Sequence, residues 1–144
     1  MSTATVKHAI SPAELDRRIT FHADDQIMEA NFSDFRFEDS QVVNLFYDRL
    51  EARIHETGEE KWFFLVNLNG CQILPGAWVR YAQRGKRLNE AGSLGSVRYA
   101  AGSETEADIR MRAETQGFRP NIRNTREEAE ALIEELRADL LQRR

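Results

Sequence analysis

The sequence predicts an α/β domain whose mostly parallel sheet of about five strands starts with an antiparallel hairpin and has helices packed on it. The first observation is that the hydrophobic spacing switches repeatedly between two residues and roughly four. The second is that residues 62–66 are apolar without alternation, which is typical of a strand covered on both faces. The third is the alternation of strands and helices, which favours parallel strands joined by right-handed crossovers.

The strands are predicted from short apolar runs bounded by polar or turn residues. Residues 18–22 and 27–32 are expected to form the hairpin, because the link between them, 23–26, is short and polar. Phe35 and Phe37 alternate with polar residues, which indicates extended chain. Further strands are expected at residues 61–68, 96–100 and 118–122, with a turn at 92–96 before the second of these.

The helices are predicted from their capping residues and apolar stripes. Ser11 can cap a short helix, Asp39 or Ser40 can cap a second that ends near Gly58, and residues 76–90 form a third. Two capping boxes are expected to open the last two helices, Ser103 with Glu106 and Thr125 with Glu128. Ten aromatic residues are expected to build the core, with a pocket between the sheet and a helix as the alternative: Phe32, Phe35, Phe37, Phe46, Tyr47, Trp62, Phe63, Phe64, Trp78 and Tyr81.

Length and composition predict one domain and give no sign of catalysis. Residues 11–144 are expected to form the domain, and residues 1–10 to be disordered. The single cysteine excludes an intrachain disulfide, and the three histidines are too far apart in sequence to suggest a metal site. No cofactor motif, nucleophile–base pair, signal peptide or membrane span is found, so we expect a cytoplasmic protein that is not an enzyme.

Charge is unevenly distributed along the chain. The net charge of −4 argues against nucleic-acid binding. Residues 78–126 nevertheless carry 10 basic and 5 acidic residues, a net of +5. This segment could attract an acidic partner or a phosphate.

Three arginines at helical spacing form the first candidate binding site. Arg80, Arg84 and Arg87 share one helix face, and with Arg98 they could bind a carboxylate-rich protein or a phosphate. The alternative is an ordinary solvated helix face.

The segment between the central strand and the next helix is the second candidate. Cys71 and Trp78 lie in or beside it, near the carboxyl end of the strand, where open α/β sheets bind ligands. No histidine is close to Cys71 in sequence, so a nucleophilic thiol is not expected.

Three features of the sequence indicate a family resemblance. They are the order of elements, the buried strand at 61–68 and the turn at 67–76, Asn-Leu-Asn-Gly-Cys-Gln-Ile-Leu-Pro-Gly. In these features the chain resembles the STAS fold of anti-sigma-factor antagonists, and more closely the divergent STAS-like proteins of bacteria. The resemblance covers roughly residues 18–142. In the regulatory members a phosphorylatable Ser or Thr follows this strand. The matching residues here, 73–78, contain neither, so the resemblance implies the fold and a docking surface without the phosphorylation switch.

Two functions are therefore expected. The first is a regulatory or protein-interaction module that presents a STAS-like surface to another protein or to a second copy of itself. The alternative is a small carrier or sensor that binds an apolar or lipid-like molecule.

Overall fold

A computed structural model describes residues 10–58, 61–117 and 119–143. Seven strands lie in this part of the chain: β1 (Ile19–His22), β2 (Ile27–Asn31), β3 (Arg36–Phe37), β4 (Trp62–Asn67), β5 (Gln72–Ile73), β6 (Ser93–Tyr99) and β7 (Ile122–Arg123). The helices of the same part are α1 (Pro12–Asp16), α2 (Ser40–Glu56), α3 (Trp78–Gly92), α4 (Ser103–Gln116) and α5 (Arg126–Gln142).

The main sheet has five strands in the order β1-β2-β4-β6-β7. Only the β1–β2 hairpin is antiparallel, with Ile19 opposite Ala30, and the other three pairs are parallel. The predicted fold class, a mostly parallel sheet that starts with an antiparallel hairpin, is therefore confirmed. β3 and β5 form a separate two-stranded parallel sheet.

The helices divide the core into two layers. One cluster joins the sheet to α1, α2, α3 and α4, and a second joins the opposite face of the sheet to α5. Neighbouring residues of β4 separate accordingly, since Phe64 belongs to the first cluster and Phe63 and Leu65 to the second. All ten aromatic residues predicted for the core are buried.

The predicted helix starts are correct except at α3 and α4. Ser11, Asp39 and Thr125 cap α1, α2 and α5 through their side chains, and Thr125 forms the predicted capping box with Glu128. α3 begins at Trp78, after a 3-10 turn, rather than at residue 76. The capping box predicted at Ser103 is wrong. Gly102 occupies the cap position, and Ser103 is the first helical residue.

The predicted turn at residues 92–96 is also wrong. α3 ends at Gly92 and β6 begins at the next residue, with a bulge where it pairs with Trp62 and Phe63. The first residues of β6 are only half-buried. The disorder expected at the N-terminus lies, apart from Ile10, outside the described residues, as does the first residue of the strand predicted at 118–122.

Candidate ligand-binding cavity

A cavity of about 550 Å³ lies between α3 and α4, with β6 as its floor. The segment that leads into β7, which includes Arg119 and Asn121, closes one side. Its volume is within the range of small-molecule sites. The cavity exists because β7 pairs with β6 only at Arg98 and Tyr99, so the beginning of β6 has no strand on that side.

Four cationic side chains line the cavity, and each comes from a different segment. Lys86 is on α3, Arg98 on β6, Arg112 on α4, and Arg119 on the segment before β7. Within the described ranges, none of the four forms an ion pair with a carboxylate. Glu90 is the one acidic residue among the described residues of the lining, which together carry a net charge of +3.

Two buried polar atoms of the lining also lack a partner. The Nε atom of Arg112 and the Oδ1 atom of Asn89 have no hydrogen bond to any described protein atom. Native proteins leave few such atoms unsatisfied, because each costs about 1–3 kcal/mol. Both atoms are covered by other protein atoms, so they lie within the wall of the cavity and not on its surface.

The apolar part of the cavity is formed by large side chains of both helices. Trp78 and Tyr81 line it from α3, and Ile109 lines it from α4. The guanidinium carbon of Arg112 lies 4.6 Å from the centroid of the Trp78 ring, which holds this cation against the cavity wall. The cavity therefore combines apolar surface with positive charge.

Arg98 lies where the floor of the cavity meets the aromatic core. It donates from Nη1 to the carbonyl oxygen of Pro120 at 3.4 Å. Burial raises the pKa of Tyr81 to about 12, although the positive charge of Arg98 acts to lower it. Tyr81 is therefore neutral at physiological pH and can serve as a hydrogen-bond donor.

The edge of β6 offers a further donor. The amides of Arg98 and Ala100 donate to the carbonyls of Asn121 and Arg123. Alternate residues of a strand direct their amides to the same edge, so the amide of Ser96 lies on the edge beside the cavity. The side-chain amide of Asn121 occupies part of this edge by donating to the Ser96 carbonyl at 3.1 Å.

The arginines of the predicted binding face contact another helix of the same chain. Arg84 is buried, and it donates to Asn44 and to Asp48 on α2, each at 2.8 Å. Arg80 and Arg87 contact Asn44 and Glu51 on the same helix. The three arginines thus join α3 to α2, and Arg84 in particular is not exposed to a partner.

Cys71 and Trp78, predicted to be near each other, have different surroundings. Cys71, the residue before β5, is 5% exposed, and burial raises the pKa of its thiol to about 12. A protonated, buried thiol is a poor nucleophile. Trp78 lines the cavity, so of the predicted site residues Trp78 and Arg98 are brought together and the others lie elsewhere.

Sequence reasoning missed Lys86, Arg112 and Arg119. The net charge of +5 over residues 78–126 indicated that cations are concentrated in this segment. It did not show which of these cations line the same cavity. A second, more open groove of about 480 Å³ lies between the ends of α2 and α3. Among the described residues that line this groove the one arginine is Arg87, which is paired with Glu51, so the groove offers less free charge.

Comparison with known proteins gave no match, whether to a family model, to a curated protein or to a solved structure. Within the described residues, no helix combines the length and the apolar character needed to cross a membrane.

Proposed function

We propose that this protein is a small-molecule binding module, a carrier or sensor that holds an organic anion with an apolar body in the cavity between α3 and α4. The single observation that carries the proposal is the set of four cations from four segments, none paired with a described carboxylate, around one apolar-walled space. The sequence predicted binding of an apolar or lipid-like molecule as the alternative function. We keep that function and add that the ligand carries negative charge.

The four cations of the lining support an anion over a purely apolar ligand. A hydrocarbon would cover these side chains without offering any of them a partner. An anion can accept hydrogen bonds from them.

The packing of α4 supports entry of a ligand. Among the described side chains of α4, only Ile109 and Ala113 are buried, whereas α2 buries six. An element with so little buried apolar surface opens at low cost in free energy. α4 can therefore move away from α3 to admit a molecule.

The protein-interaction function stays a prediction. Its main support in the sequence was the arginine face, and Arg84 of that face is buried against α2. The likeness to STAS proteins is likewise an expectation from the sequence.

Fluorescence titration with 1-anilinonaphthalene-8-sulfonate tests the proposal, because this probe is an organic anion with an apolar body. We expect saturable binding at one site, and we expect Arg112→Gln to weaken it about tenfold, the effect of one charge-assisted hydrogen bond. Arg110→Gln is the matched control. Arg110 is on the same helix but is half exposed and paired with Glu106, so binding should be unchanged.

Two results would contradict the proposal. One is no saturable binding by the folded protein, and the other is an equal loss of affinity in the two variants. Circular dichroism and thermal unfolding of each variant show whether the fold is intact, which separates loss of the site from loss of structure.

A further inference from the structure

We propose that the anionic group of the ligand is a phosphate monoester, bound as its dianion. This inference rests on the proposed function and adds the chemical class of the ligand. It follows from how much charge the cavity holds and from how the donors are placed around it.

The charge of the lining exceeds what one carboxylate can neutralise. Four cations and Glu90 leave a net of +3. A carboxylate ligand would leave two of these charges uncompensated, whereas a phosphate monoester carries close to two negative charges at neutral pH. The dianion is therefore the better electrostatic match for this space.

The donors come from four different segments of the lining rather than from one. Lys86, Arg98, Arg112 and Arg119 come from α3, β6, α4 and the segment before β7. A planar carboxylate presents two oxygens in one plane, but a phosphate monoester presents three oxygens around a tetrahedral centre. The tetrahedral group can accept from donors on several sides at once.

The apolar wall and the volume limit the remainder of the ligand. Trp78, Tyr81 and Ile109 offer surface for a ring or a short apolar chain, and 550 Å³ is the space of one drug-sized molecule. The ligand we infer is a phosphorylated small molecule with one ring-sized apolar body.

Calorimetric titration with 1-naphthyl phosphate and 1-naphthoate tests the inference, because the two probes share the apolar body and differ in the anionic group. At pH 7.5 we expect the phosphate to bind at least about tenfold more tightly than the carboxylate. Equal affinities, or a preference for the carboxylate, would overturn the inference while the proposed function stands. Binding of neither probe would overturn both.

The dependence of binding on pH gives an independent measurement. The second pKa of a phosphate monoester is about 6, so the dianion rises from roughly a tenth of the ligand at pH 5 to nearly all of it at pH 7.5. The affinity for naphthyl phosphate should rise about tenfold over this range. A flat profile would contradict binding of the dianion.

The titration of the protein itself must be separated from that of the ligand. Among the described residues, the charged and titratable groups that line the cavity are Lys86 and Glu90 of α3, Tyr81 of α3, Arg98 of β6, Arg112 of α4, and Arg119. No histidine is among these described groups, and naphthoate measured over the same range shows any change that comes from the protein.

One variant separates the two probes. Arg119 is exposed at the rim of the cavity and has no ion pair with a described carboxylate, so Arg119→Gln should leave folding unchanged. We expect it to weaken naphthyl phosphate several-fold more than naphthoate, because the second charge of the ligand loses a partner. Arg110→Gln serves again as the matched control. An equal effect of Arg119→Gln on both probes would contradict the assignment.

Discussion

Nη2 of Arg84 lies 2.8 Å from Oδ1 of Asp48, and the side chain of Arg84 is 7% exposed. The same nitrogen lies 3.1 Å from Oε2 of Glu51, and the guanidinium lies over the ring of Tyr47. Burial disfavours the charged form of Arg84, but its hydrogen bonds to Asp48 and Glu51 outweigh this and raise its pKa. This cation joins α2 to α3 and so holds one wall of the cavity.

Removing Arg84 should destabilise the fold. We expect Arg84→Ala to lower the free energy of unfolding by about 2 kcal/mol, because it removes buried packing and charge-assisted hydrogen bonds. For a chain of this size the melting temperature should fall by about 6 °C. Arg87→Ala is the control: Arg87 is 63% exposed, and its loss should cost under about 0.5 kcal/mol. A loss under about 0.5 kcal/mol for Arg84→Ala would contradict a structural role for Arg84.

The ion pair of Glu29 with Arg126 should make stability depend on pH. Burial raises the pKa of Glu29, but hydrogen bonds from Arg126 and His22 outweigh burial and lower it below the usual 4.5. A lowered pKa means that the stabilisation is present above pH 4.5 and is lost as the pH falls through the folded value.

Urea unfolding of Glu29→Gln tests this prediction. We expect the variant to be less stable than the wild type by about 1 kcal/mol at pH 7, and the difference to shrink between pH 5 and pH 3. Glu130→Gln, which removes a half-exposed partner of Arg126, should have little effect. A difference for Glu29→Gln that is constant with pH would mean that the carboxylate charge is not responsible.

Cys71 should be inert in the folded protein. Its burial and its pKa of about 12 keep the thiol protonated and inaccessible at pH 8. We expect a disulfide reagent to modify it at least 100-fold more slowly than free cysteine, and at the normal rate in denaturant. Modification of the native protein at the rate of free cysteine would contradict the burial of this residue.

The two predicted capping boxes differ in the structure and should differ in energy. Thr125 accepts from the amide of Glu128 at 3.1 Å, and Glu128 accepts from the amide of Thr125 at 3.1 Å. Thr125→Ala should therefore cost about 1 kcal/mol, and Ser103→Ala should cost close to nothing because Ser103 caps nothing. Chemical denaturation of the two variants makes the comparison. A larger loss for Ser103→Ala would contradict the observed start of α4.

Local patterns in the sequence predict most of the fold. The hairpin, the buried strand β4 and the caps of α2 and α5 follow from residues that are close together in the chain, such as Asp39 and Thr125 with the amides that they accept from. The turn expected at Gly92 and Gly95 was wrong because pairing with β4 overrides the local preference of glycine.

The cavity is formed by contacts between separate segments of the chain, so local patterns do not predict it. Arg98, Arg112 and Arg119 line the same cavity as Lys86 only because β6, α4 and the segment before β7 lie beside α3. The arginine row on α3 follows helical spacing, as expected. The helix that this row contacts is determined by the position of α2, whose Asp48 and Glu51 form ion pairs with Arg84. Spacing alone therefore identified the cations but not their partners.

The proposed ligand site is tested most directly by locating where a ligand binds. Amide chemical shifts measured by NMR during titration with 1-naphthyl phosphate should change in a saturable manner at Ser96, Arg98, Arg112 and Asn121. Residues of the second groove on α2, such as Glu51 and His55, should be unaffected. Shifts that cluster at that groove or at the loop around Cys71, or no saturable shift at all, would contradict a ligand site between α3 and α4.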